Sequence, residues 1–190
     1  MLANWLVLLT STRKTSRLIS YQSINTSHWL GRTITKAIKN DIAIYAVHTN
    51  LDNVGKGVNN KIAGKLGIVN PKILAPVEGN KEVGAGMIGE LNKNSSIEEL
   101  LTLIRKEFNA QGIRHTKILK EQVKRIAICG GSGSFLLQQA ITQNADVFIT
   151  GDFKYHQFFE ANEKIVIVDI GHHESEQFTS EIGRMTNFPF

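Results

Sequence analysis

Residues 123–156 read VKRIAICGGSGSFLLQQAITQNADVFITGDFKYH. An apolar run, Val123 to Cys129, meets a glycine-rich turn, and Phe135 to Thr142 follows at helical spacing. A second apolar run, Val147 to Thr150, enters GDFKYH, and a third, Ile165 to Ile170, enters GHHESE. Short apolar runs bounded by turns and separated by a helix read as buried strands. Their alternation predicts an α/β fold, a mixed sheet flanked by helices.

Upstream the same grammar continues. A short helix over Thr33 to Lys39 leads into a strand, Ile42 to Val47, with HTNLD at its end. Asn53 to Gly57 is turn chemistry, and Val58, Ile62, Ala63 and Leu66 recur at helical spacing before Gly67. Ile73 to Leu74 reads as a short strand, and EGNKEVGAGMIGEL as a glycine-rich stretch of poor periodicity. Ser95 or Ser96, with Glu98 or Glu99 three residues on, caps a helix whose apolar face is Ile97, Leu100, Leu101, Ile104 and Phe108. Met1 to Asn25 reads as an irregular leader, organellar or disordered in character, and residues 26–190 as the α/β domain.

The chain has 190 residues, 42% of them hydrophobic and 21% charged, as in an ordinary globular protein. Its apolar stretches are too short to span a bilayer. The single cysteine, Cys129, excludes an internal disulfide framework, fits a reducing compartment such as the cytoplasm, and cannot build a thiolate zinc site. Sitting in an apolar strand, it reads as core. The net charge of +5 arises in residues 1–40, which hold Arg13, Lys14, Arg17, Arg32, Lys36 and Lys39 and no acid. The rest is nearly neutral, which argues against nucleic acid as a partner.

Four strands end in polar signatures, and α/β sheets bind ligands beyond the carboxyl ends of their strands. In GHHESE, His172 and Glu176 are four residues apart and share one face if a helix begins there. An imidazole and a carboxylate so placed suit zinc, iron or manganese. Spacing alone leaves His173 as an alternative to His172, and the bland reading is an acidic helix start complementing the dipole. HTNLD offers His48 and Asp52, with Asn50 to orient the carboxylate, or simply a turn. CGGSGSF meets neither nucleotide-binding fingerprint and reads as tight strand–helix packing with Ser134 as a cap. In GDFKYH, Asp152 and His156 form either an acid–base pair or a cap followed by a surface histidine.

Taken in order, HTNLD, VGAGMIGEL, ICGGSGSF, ITGDFKYHQFF and DIGHHESEQFT resemble the dinuclear metal-centre hexamer family, the GTP cyclohydrolase 1 type 2 homologues. The resemblance runs from about Thr33 to Glu181. It implies two interlocked α/β halves, a toroidal homohexamer, and two divalent metal ions in each subunit. On its motifs, Asp52 binds one ion, His172 the second, and Glu176 bridges them.

Three departures accompany it. Upstream of HTNLD the family carries a His-His-Pro ligand motif, whereas this sequence has there only His28. The domain many relatives insert before VGAGMIGEL is missing, and the tail EIGRMTNFPF stops where relatives continue through a helix. The expectation is a truncated or frame-shifted product, recognisable from near Ser23 to Trp29, with uncovered apolar sheet surface. One imidazole and two carboxylates do not fill two coordination shells, so weak metal binding and poor activity follow. The two functions in view are a metal-dependent hydrolase-like enzyme and a non-catalytic oligomeric metal-binding or interaction protein.

Overall fold

A computed structural model of the chain describes residues 4–9, 24–47 and 57–178. The chain divides into two compact units, Met1–Asn50 with Thr179–Phe190, and Leu51–Phe178.

In the first unit, strand β1 (Asn4–Leu9) is followed by helix α1 (Trp29–Lys39) and strand β2 (Ile42–Val47). β1 and β2 pair in parallel, Asn4 opposite Ile42 and Leu9 opposite Val47. The leader is therefore not irregular throughout. A strand draws its backbone hydrogen bonds from a distant partner, which local periodicity does not reveal. α1 starts four residues before the expected Thr33, because the extended His28 caps it: ring Nδ1 accepts from Leu30 N at 3.3 Å. Lys36 and Lys39 occupy its last turn, at the negative end of the dipole.

The second unit opens with α2 (Val58–Lys65), whose Val58, Ile62 and Ala63 are buried and which ends as expected at the left-handed Gly67. β3 (Ile68–Val77) and β4 (Asn80–Ser96) then form a long antiparallel hairpin across Glu78 and Gly79. Both strands are long, in place of the expected two-residue strand, Ile73 to Leu74, and the expected aperiodic stretch. The glycines that break the alternation are sites of close approach. A Cβ on Gly84 would overlap Ala75 O and Pro76 Cα, and one on Gly89 would press on Ile68 Cγ2 and Pro71 Cα.

α3 (Ile97–Phe108) carries the expected capping box: Glu99 N donates to Ser96 Oγ at 3.1 Å, and Ser96 N to Glu99 Oε2 at 2.9 Å. Its five apolar positions are all buried. There follow β5 (Arg114–His115), β6 (Gln122–Ser132), a 3₁₀ turn over Ser134–Leu136, α4 (Leu137–Thr142) and β7 (Val147–Gly151). A second 3₁₀ segment (Tyr155–Ala161), β8 (Val166–Asp169) and α5 (His172–Glu176) complete the order.

The sheet runs β3-β4-β6-β7-β8-β5, with β6, β7 and β8 mutually parallel and the other neighbours antiparallel. This is the mixed, helix-flanked α/β sheet that the alternation predicts. Ala127, Cys129, Phe148 and Ile167 pack with Leu136, Leu137 and Ala140 in one core cluster. The alternate residues Ile126, Ile128, Val147, Ile149, Val166 and Val168 are buried as well, so the parallel strands are covered on both faces. At the far end of β7, Asp146 receives Lys120 Nζ at 2.6 Å and the backbone N–H groups of Lys124 and Arg125. Burial opposes its charge, but those donors outweigh it and hold the carboxyl below its usual range.

Candidate functional site

β7 and β8 are parallel, with Thr150 opposite Asp169, so the residues that follow them emerge side by side. Gly151 brings the two ends close: a Cβ there would lie 2.8 Å from the Gly171 carbonyl and from His172 N. Next along the chain, Asp152 holds a left-handed backbone at φ +60°. Its Oδ2 lies 2.8 Å from His172 Nδ1. The other ring nitrogen, Nε2, lies 3.0 Å from Glu176 Oε2, one helical turn further along α5.

The imidazole thus bridges two carboxylates, with His172 17% and Glu176 8% exposed at the side chain. The hydrogen bond to Glu176 raises the His172 pKa first, burial opposes it, and Asp152 adds to the rise, which reaches about 9 from 6.5.

Three surrounding features hold the arrangement. Gly131, at the end of β6, has φ +66°, and a Cβ on it would overlap Glu176 Oε1. Its backbone N–H donates to Ser175 Oγ at 2.8 Å, and Ser175 Oγ donates to the His172 carbonyl at 2.9 Å. The neighbouring Gly130 N–H donates to the buried Asn59 Oδ1 at 2.8 Å, tying this end of β6 to α2. Asp169 is the third feature, a buried carboxylate at the tip of β8. Its Oδ1 accepts from Gly171 N at 3.0 Å, and its Oδ2 from Phe153 N at 3.0 Å and from the Arg114 guanidinium. One side chain therefore secures both the loop bearing Asp152 and the turn leading to His172.

Of the residues singled out by sequence, His172 and Glu176 come together, and His173 is exposed. Asp52, His48 and Asn50 lie outside the described residues. Among the described residues, no three His, Cys, Asp or Glu side chains surround one ion position. The Asp152–His156 pair does not form. No α-helix starts at Asp152, whose left-handed backbone turns it toward His172 and leaves His156 exposed. Ser134 is not a side-chain cap either; its Oγ accepts from Gln157 Nε2 at 3.1 Å. The turn is closed by Gly133, whose N–H donates to Thr150 Oγ1 at 3.0 Å. Cys129 is core, as expected. Asp169, Asn59 and Ser175 carry no motif of their own in the sequence, although an Asp inside the apolar run IVIVDI is a signal.

The family model described as Duf34/NIF3 (NGG1p interacting factor 3) matches residues 18–184. The chain belongs to this family. Duf34/NIF3 relatives include a Clostridium perfringens protein named GTP cyclohydrolase 1 type 2 homolog, 37% identical over 155 residues, covering 81% of this chain and 59% of the relative. A Clostridium acetobutylicum protein of the same name is 35% identical over 149 residues, covering 77% of this chain and 56% of that one. The chain thus spans less than three-fifths of these curated relatives. In fold it is similar to a Bacillus cereus protein related to NIF3, with a TM-score of 0.77 at 20% identity, covering 96% of this chain and 84% of that one. Among the described residues no helix is long and apolar enough to cross a membrane.

Proposed function

We propose that this Duf34/NIF3 chain binds a divalent ion, zinc, iron or manganese, through His172, Glu176 and Asp52, and acts as a metal-dependent hydrolase-like protein. The observation that carries the reading is the convergence of His172 Nε2 and Glu176 Oε2, 3.0 Å apart, beyond the carboxyl ends of parallel strands. A ring nitrogen and a carboxylate oxygen are a donor set these metals accept. Metal binding displaces protons from donors of this kind, and Gly131 leaves the carboxylate the space it needs. Asp52 enters through the family motif HTNLD alone.

When bound, such an ion lowers the pKa of a coordinated water and polarises a substrate oxygen. His172 would supply a neutral nitrogen after losing its Nε2 proton, and Glu176 an anionic oxygen. One imidazole and two carboxylates match one ion and fall short of two, so turnover is expected to be low. The family resemblance adds a homohexameric ring, and the relatives' name makes GTP the first substrate to try.

Elemental analysis combined with mass measurement in solution tests the reading. Bound metal, a hexameric mass, and GTP hydrolysis lost in both His172→Ala and Glu176→Ala support it. Metal retained without turnover of GTP or phosphoesters would instead support a non-catalytic metal-binding role.

A further inference from the structure

We propose that Asp152 is a positioning residue: its carboxylate holds the His172 ring through Nδ1 so that Nε2 faces the same point as Glu176. The proposal rests on the metal-site reading above and assigns a role to a residue outside its ligand set.

Three observations carry it. Asp152 Oδ2 sits 2.8 Å from Nδ1 while the opposite ring nitrogen lies 3.0 Å from Glu176 Oε2, so the two nitrogens are divided between the two acids. A ligating imidazole characteristically donates its remote N–H to a carboxylate or carbonyl, which fixes tautomer and ring orientation and raises basicity. Second, Asp152 adopts φ +60°, a conformation that costs free energy in a residue with a side chain. It is kept there from both sides. Gly151 packs against Gly171 and His172, and Asp169 holds the N–H of Phe153 at 3.0 Å. Third, the Asp152 side chain is 38% exposed, so core packing does not account for its place; the ring it touches does.

The competing explanation is a plain ion pair that adds a little stability. Metal affinity separates the two.

The test uses the full chain freed of metal, with zinc as the probe. Asp152→Asn keeps the shape and tolerates the left-handed backbone, and Asp152→Gly keeps the backbone while deleting the carboxylate. Titration against a chromophoric chelator is expected to show the zinc dissociation constant raised about tenfold to a hundredfold in both variants. Their metal-free thermal midpoints are expected to stay within about 4 °C of the parent. In the metal-free parent the His172 Nδ1 proton should give a downfield NMR signal that disappears in Asp152→Gly. Zinc affinity unchanged in both variants would overturn the proposal. A parent chain that takes up no zinc would remove the metal reading. With it would go the positioning role, which rests on that reading, and persistence of the Nδ1 proton signal in Asp152→Gly would overturn the contact in either case.

Discussion

Gly131 and Glu176 occupy each other's space: the side chain that Gly131 lacks would stand where the Glu176 carboxylate is. They are far apart in sequence, one ending β6 and the other ending α5. Their fit lets an acid approach the strand tips and reach His172 Nε2 at 3.0 Å. The chemistry of the site is therefore tied to the backbone geometry of a glycine-rich turn.

Gly131→Ala should consequently hurt twice. Forcing an alanine to φ +66° costs about 1–2 kcal/mol, and its methyl group must also displace the carboxylate. Urea unfolding should show the loss of stability, and zinc uptake should fall with it. A variant as stable as the parent would mean that Gly131 is not held in this conformation.

Asp169→Asn should destabilise by roughly 1.5–3 kcal/mol, the range for hydrogen bonds to a charged group. The carboxylate receives the Arg114 guanidinium and two backbone N–H groups, from Phe153 and Gly171. Because those amides belong to the two loops that bear Asp152 and His172, hydrogen exchange should quicken in both at once. Faster exchange in one loop alone would contradict the shared anchor.

The His172 ring gives a pH prediction. Its pKa in the folded, metal-free chain is raised to about 9 from 6.5, with Glu176 the leading cause and Asp152 a lesser one. A raised pKa means that the folded chain binds the proton more tightly than the unfolded one. The associated stability is fully present below about 6.5 and is lost as pH rises through about 9. An NMR titration should show the His172 midpoint falling further in Glu176→Gln than in Asp152→Asn. The reverse order would contradict the geometry.

How much of this was legible beforehand follows from where each signal resides. β6, α4, β7 and β8 were readable because each is a contiguous apolar run or helical face bounded by turn residues. The Ser96–Glu99 capping box was readable because both partners lie within one turn. The β3–β4 hairpin was not, since Gly84 and Gly89 look like breakers until the neighbouring strand is seen pressing on them. His172 and Glu176 can be paired from a spacing of four, whereas for Asp152 the same spacing offers only His156, as an acid–base partner or as a surface residue after a cap. The rule presumes a helix, and the left-handed Asp152 does not start one. Asp169 was hidden by its setting, an acid counted as part of an apolar strand, and its partners lie up to 55 residues away.

Metal content of the purified full chain bears most directly on the central claim. Plasma mass spectrometry of the parent, His172→Ala, Glu176→Ala and Asp52→Ala would read it without reference to any substrate. About one divalent ion per parent chain is expected, the number three donors can hold, with near-complete loss in each variant. A parent chain free of metal, or variants that keep it, would contradict the account.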